Sequence, residues 1–256
     1  MSAADAASTA GAPNGAAVLN VLVTGGSGAS GVAVAGALRR AGHRVFTSGS
    51  DPARIEAAAA KAGDGVTPLV CDLADLAAVH SLRETLAAAA GRMDAVIHLV
   101  GGWRGAQGIA DQSDADWDFL QRGAITTLRN VSRVFFDDLA ASGTGRFAMV
   151  SSTAVSKPTA AAASYVAAKA AAETWTMAMA DGFSRSAPST GGSSAAPAGA
   201  AVVFVVKALV DADLRRQHPE RMFPGATDVE DLGAAVVGLF SRPAPELNGR
   251  RLLLAP

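Results

Sequence analysis

The stretch VLNVLVTGGSGASGVAVAGALRRAG, residues 18 to 42, runs an apolar β-rich segment straight into a glycine-rich turn and then into a helical segment. Glycines at such a junction let the backbone turn tightly and approach a pyrophosphate, whose negative charge is favoured at a helix N-terminus. Strand, loop and helix stand in the order that dinucleotide binding requires. Thr24, Gly25, Ser27, Gly28, Ala29, Ser30 and Gly31 are therefore candidate cofactor-binding residues.

Outward from this unit the chain keeps alternating short apolar runs with longer helical stretches. Further strands are predicted at 44–48, 67–70, 95–100, 146–152, 201–206 and 251–255, and helices near 30–41, 52–62, 75–90, 114–141, 163–183 and 228–240. Thr227 and Glu230 stand in capping-box spacing at the start of the last helix. Continuously apolar strands that alternate with helices belong to a parallel sheet covered on both faces. The expected fold is α/β, a doubly wound parallel sheet of about seven strands in a single domain over residues 18–256. Residues 1–17 read as a disordered, alanine-rich tail, and SRSAPSTGGSSAAPAGA, residues 184–200, as a flexible inserted surface loop.

Composition narrows the function. With 256 residues, half of them apolar, the chain can bury a substantial core, and a formal net charge of −1 offers no electrostatic reason to expect nucleic acid or an anionic membrane as partner. A small-molecule substrate is the expectation. One cysteine, Cys71, excludes an internal disulfide and fits a reducing, cytoplasmic location. The N-terminal residues lack the basic start and apolar core of a secretory signal, and no apolar run reaches the length of a membrane-spanning helix. Four scattered histidines and the single cysteine show no metal-ligand spacing, so no metal is expected.

Nucleotide type should be set near the end of the second strand, where an acid about 20 residues beyond the loop would hold a ribose 2′-hydroxyl. That region reads TSGSDPAR: Gly49 stands eighteen residues after Gly31, with Ser50 beside it and Asp51 as the nearest acid. Without an acid at the site itself, Ser48, Ser50 and Arg54 favour a 2′-phosphate, hence NADP(H) over NAD(H), with NAD still possible. The bland alternative makes Asp51 a helix cap and Arg54 a solvated charge.

These motifs resemble the short-chain dehydrogenase/reductase family over nearly the whole chain from Val18 onward. TGGSGASG resembles the family's TGxxxGxG cofactor loop, with Ala29 at the middle glycine. CDLAD, with Asp72 and Leu73, resembles the acidic motif against the adenine ring; HLVGG keeps one glycine of the NNAG segment, as Gly101; and YVAAK supplies YxxxK, with Ser152 thirteen residues before Tyr165. The resemblance implies a Rossmann-type fold and an NAD(P)-dependent oxidoreductase acting on a small carbonyl or alcohol. Tyr165 would be the general acid/base, Ser152 would orient the substrate oxygen, and Lys169 would bind the nicotinamide ribose. It also implies a homodimer or homotetramer through the helices at 114–141 and 163–183. The residues support the same chemistry on their own: a free tyrosine titrates near pH 10, and a lysine four positions later on one helix face can supply the cationic field that makes it an effective proton donor.

The match also has departures. Ala124 stands where the family carries a helix asparagine, and KAL, residues 207–209, stands where it carries a PG turn. GGW at 101–103 and the missing asparagine are similar to dihydropteridine reductase within the same superfamily. Substrate should meet Trp103, with Met222 and Phe223 on a lid at 207–224. His98 reads as a structural histidine. The rival reading, favoured by the departures, is a dinucleotide-binding sensor or regulatory subunit without turnover.

Overall fold

A computed structural model describes residues 17–186, 189–190, 193–194 and 196–254. The tail expected over 1–17 lies outside the described residues except for Ala17, as does part of the loop expected over 184–200. Within that loop Ser189–Thr190 and Ser193–Ser194 pair antiparallel.

Seven strands form one fully parallel sheet: β1 (Asn20–Thr24), β2 (Arg44–Gly49), β3 (Val66–Val70), β4 (Ala95–His98), β5 (Arg146–Ser152), β6 (Ala200–Val206) and β7 (Arg250–Leu253). Their order is β3-β2-β1-β4-β5-β6-β7, so the winding reverses between β1 and β4. The doubly wound expectation holds. Helices are α1 (Ala29–Arg40), α2 (Pro52–Ala62), α3 (Leu76–Ala90), α4 (Asp114–Leu120), α5 (Thr127–Ala140), α6 (Ala163–Arg185), α7 (Ala212–Gln217), α8 (Val229–Gly238) and α9 (Ala244–Leu247).

Strand alternation divides the core between the two faces. Leu22 joins Val79, Leu82, Leu128, Phe135 and Phe183 of α3, α5 and α6 on one face. Val21 and Val23 join Val34, Leu38, Leu232 and Val236 of α1 and α8 on the other. At Gly233 a Cβ would lie 3.0 Å from the Ala37 Cβ, so the missing side chain is what lets α8 lie against α1. Arg146, 3% exposed, gives its guanidinium to the carbonyls of Gly145, Ala198, Leu239 and Arg242, which ties β5 to the C-terminal segment.

Three expectations are corrected. The helix predicted over 114–141 is interrupted by a π-helical turn at Gln121–Thr126, where the Thr127 hydroxyl takes the Gly123 carbonyl at 2.6 Å and helps to break the regular ladder. The Thr227–Glu230 capping box does not form: Asp228 occupies the N-cap without a side-chain cap bond, and buried Thr227 donates instead to the Leu254 carbonyl. The strand predicted to 100 ends at His98, because Leu99 and Val100 turn out along the wall of a cleft. α7, α9 and a two-residue parallel ribbon of Leu209–Val210 with Thr227–Asp228 were not legible as elements.

Candidate active site

At the carboxyl ends of β1 and β4, where the winding reverses, a doubly wound sheet leaves a crevice. Gly25 (φ +76°) turns the chain out of β1, and a Cβ there would fall 2.8 Å from the Leu99 backbone carbonyl carbon. At Gly31 a Cβ would fall 2.6 Å from the Gly25 oxygen, and at Gly49 2.4 Å from the Ser27 Oγ. At Gly25 and Gly31 the clash is with backbone, so glycine is needed there for the loop to close on α1; at Gly49 it is with the Ser27 side chain packed against β2. By contrast, Gly28 is open: its nearest atom would be 3.8 Å away. Gly28 N-caps α1 without a side-chain bond, and α1 opens with Ala29, Ser30 and Gly31.

A first cleft of about 510 Å³ lies over this loop, lined by Gly25, Ser27, Gly28, Ser48, Gly49, Ser50, Asp51, Arg54, Asp72, Leu73, Gly101 and Arg122, among others. The hydroxyls of Ser27 and Ser48 are buried there without a protein partner. Asp51 accepts from the Arg54 backbone N–H at 2.8 Å, so it does cap α2, and its side chain also faces the cleft. Asp72 accepts from Ala74 N and, at 2.6 Å, from Arg122, whose guanidinium closes one side. Arg122 was not legible as a site residue, because it arrives from the π-helical turn fifty positions along the chain. Thr24 is buried behind the loop, and Ala29, exposed on the first turn of α1, lines neither of the two main clefts.

A second cleft of about 470 Å³ adjoins the first through the shared residues Leu99, Val100 and Gly101. Its walls include Ser30, Trp103, Ser151, Tyr165, Lys169 and Lys207. α6 presents Tyr165 and Lys169 to it from successive turns, as the helical spacing predicts. Burial raises the Tyr165 phenol above its ordinary value, opposed by the nearby Ser152 hydroxyl, which accepts from Ala154 N at 3.2 Å; Ser152, 5% exposed at the end of β5, lines neither cleft. Lys169 is not among the groups acting on Tyr165. Its own ammonium, 8% exposed, donates to the Val150 carbonyl at 2.9 Å; burial brings it down to about 8, and Glu173 works in the other direction. A Cβ at Gly101 would sit 3.3 Å from that ammonium.

His98 is structural, as its sequence position suggests. The Thr127 hydroxyl donates to Gly123 and so accepts from His98 Nε2 (3.2 Å), which leaves Nδ1 to accept from Thr24 (2.8 Å). Burial, then the Lys169 charge, push it down to about 3, so it is neutral. Trp103 is 66% exposed and stands over Gly105 at the second cleft. Met222 and Phe223 line neither cleft: Met222 is 85% exposed, and Phe223 packs beneath the guanidinium groups of Arg215 and Arg221. No metal-binding cluster occurs among the described residues, nor does any described helix have the length and apolarity to cross a membrane.

A model of the short chain dehydrogenase family matches residues 19–187. In sequence, comparison with curated proteins finds no match. Similar solved structures include an NADPH-bound short chain oxidoreductase from Pseudomonas aeruginosa PAO1 containing an atypical catalytic center. It is 19% identical, with a TM-score of 0.78, over 92% of this chain and 95% of that one. An NAD+-bound xylitol dehydrogenase is 18% identical, with a TM-score of 0.77, over 93% and 97%. A gluconate 5-dehydrogenase from Burkholderia cenocepacia J2315, in complex with NADP and tartrate, is 20% identical, with a TM-score of 0.75, over 93% of each. At these identities the likeness concerns the fold, and none of the three adds to the partial similarity with dihydropteridine reductase.

Proposed function

The chain belongs to the short-chain dehydrogenase family, and from that premise we propose that it moves hydride between NADPH, or less readily NADH, and the carbonyl or alcohol carbon of a small organic substrate. One observation carries this reading: the cleft over the glycine loop runs on, through Leu99, Val100 and Gly101, into the cleft that holds Tyr165 and Lys169.

A nicotinamide dinucleotide fits the residues present. Three glycines leave room where a Cβ would collide, and the unpartnered Ser27 and Ser48 hydroxyls supply buried polar groups for a ligand. Gly25, Ser27, Gly28, Ser30 and Gly31 would hold its phosphates, Asp72 and Leu73 its adenine end, and Gly101 and Lys169 its nicotinamide ribose. When bound, the nicotinamide supplies the hydride. Tyr165, whose burial keeps it protonated at neutral pH, gives its proton to the carbonyl oxygen as the carbon is reduced, while Ser152 orients that oxygen. Lys169 stays in the same cleft, tethered to the Val150 carbonyl. The preference for a 2′-phosphate rests on Arg54 and Ser50 at the rim and on the buried Ser48, with Asp51 engaged as a helix cap.

Trp103, at the second cleft, would meet the substrate. A homodimer or homotetramer through α5 and α6 is supported by their outward groove of Phe136, Trp175 and Met179, in which Trp175 is 37% exposed. The single buried thiol, Cys71, supports a cytoplasmic setting. Ala124 within the π-helical turn and the KAL turn favour the rival, a dinucleotide-binding sensor without turnover.

Fluorescence titration with NADPH and NADH, followed by turnover on ketones, quinones, enones and pterins, tests the reading. Turnover that falls by orders of magnitude in Tyr165→Phe is expected. Tight binding without turnover on any class would leave the sensor, and undiminished turnover in Tyr165→Phe would remove the mechanism.

A further inference from the structure

The two clefts treat charge differently. In the first, Arg122 is paired with Asp72. The second is lined by Lys169 and Lys207 and by no aspartate or glutamate, and among the described residues neither lysine takes part in an ion pair.

Lys207 is exposed, and its position is nevertheless fixed. It directly follows β6, the strand beside β5, and the ribbon of Leu209–Val210 with Thr227–Asp228 fixes the backbone just after it. Next to it the Ala208 carbonyl accepts from Thr227 N at 2.9 Å. The lysine stem lies against Gly225, where a Cβ would come within 3.4 Å of its Cδ. Its ammonium donates to the Pro224 carbonyl at 2.8 Å, which leaves two of its three N–H groups for a ligand. Deeper in the same cleft the Ser151 hydroxyl is buried without a partner. An exposed cation whose head is tethered by one hydrogen bond, in a cleft whose lining holds no aspartate or glutamate, calls for an anion.

We infer that the substrate is a small organic anion, a carbonyl or alcohol compound bearing a carboxylate, which Lys207 holds while Tyr165 meets the reacting oxygen. This rests on the proposed reaction at the same cleft. The other anion within reach is the dinucleotide's own pyrophosphate, and the experiment separates the two.

Pyruvate, acetoacetate and levulinate are each compared with their methyl esters as substrates of wild type, Lys207→Met and Lys207→Arg. Calorimetry on the NADPH-loaded protein compares unreactive malonate with malonamide. In wild type at least one acid is favoured over its ester by about tenfold in kcat/KM, chiefly through KM, as one charge-assisted hydrogen bond allows. Lys207→Met abolishes that ratio, and Lys207→Arg keeps most of it. Equal use of acids and esters by wild type overturns the inference, as do equal losses for both in Lys207→Met. A Lys207→Met protein that binds NADPH more weakly but keeps its acid preference assigns the ammonium to the pyrophosphate and also overturns it. If no substrate turns over, the proposed reaction fails while calorimetry still decides the anion site. Lys207-dependent preference for malonate sustains it, and equal binding of malonate and malonamide sinks it.

Discussion

Arg251, on the edge strand β7, places its Nε 2.8 Å from Glu173 Oε2, and Glu173 lies one helical turn beyond Lys169 on α6. Both Glu173 and Lys169 are buried, and the Glu173 charge raises the Lys169 ammonium against the burial that lowers it. Glu173→Gln should therefore move the basic limb of the kcat/KM profile from about 8 to lower pH, and Arg251→Met, which leaves Glu173 unneutralised, should move it higher. Arg251→Met should also cost about 2 kcal/mol of stability, through the buried Glu173 left behind, and Glu173→Gln less, because the Arg251 side chain is 40% exposed. Profiles that coincide with wild type would show that the pair braces the fold without tuning Lys169.

Lys169 also links stability to alkaline pH. Its value is about 8 in the folded chain, against the ordinary 10.5 that it has unfolded. Between these limits the unfolded chain holds the extra proton, so stability rises with pH across that window, by about 3 kcal/mol in all. Below about 8 both states are charged and the burial penalty is felt in full. Lys169→Met should flatten this rise and be more stable than wild type near neutral pH, measured by urea unfolding at several pH values.

His98 acts at the acid end. Its folded value of about 3 lies below the ordinary 6.5, so the unfolded chain takes up a proton first as pH falls. Stability contributed by keeping this ring neutral is complete above about 6.5 and is lost on the way to 3, up to about 5 kcal/mol. His98→Gln should lower stability at neutral pH, by breaking the Thr24–His98–Thr127 chain, and flatten the acid limb of the unfolding curve.

The glycine loop can be tested by contrast. Gly31→Ala forces a methyl to within 2.6 Å of the Gly25 oxygen, so it should cost about 3 kcal/mol and abolish NADPH binding. Gly28→Ala meets nothing nearer than 3.8 Å and should cost less than about 1 kcal/mol by thermal melting. Equal losses in the two variants would contradict the packing described for the loop.

Much of the fold could be read along the chain, because what decides it is local. The switch from apolar runs to helical stretches, the glycines after Thr24 and the proline after Asp51 act through nearest neighbours and periodicity, and each produced the element predicted. The same reasoning erred at Thr227 and Glu230, where a tertiary hydrogen bond to Leu254 stands in place of the local cap, and at Gln121–Thr126, where a π-helical turn interrupts the helix that composition favoured. Tyr165 and Lys169 were legible as a pair because four residues is one helical turn.

By itself, then, the sequence determined the seven strands of the sheet, most of the helices and the glycine-rich turn after β1, and it marked the candidate site residues, since each follows from backbone geometry over a few positions. Only the tertiary structure decided that β4 lies beside β1, that Arg122 closes on Asp72, that Met222 and Phe223 stand outside both clefts and that Lys207 lines Tyr165's cleft. Those facts depend on contacts between segments far apart in the chain. Such contacts arise when whole helices bury their apolar faces against the sheet, a result of packing that no local pattern encodes.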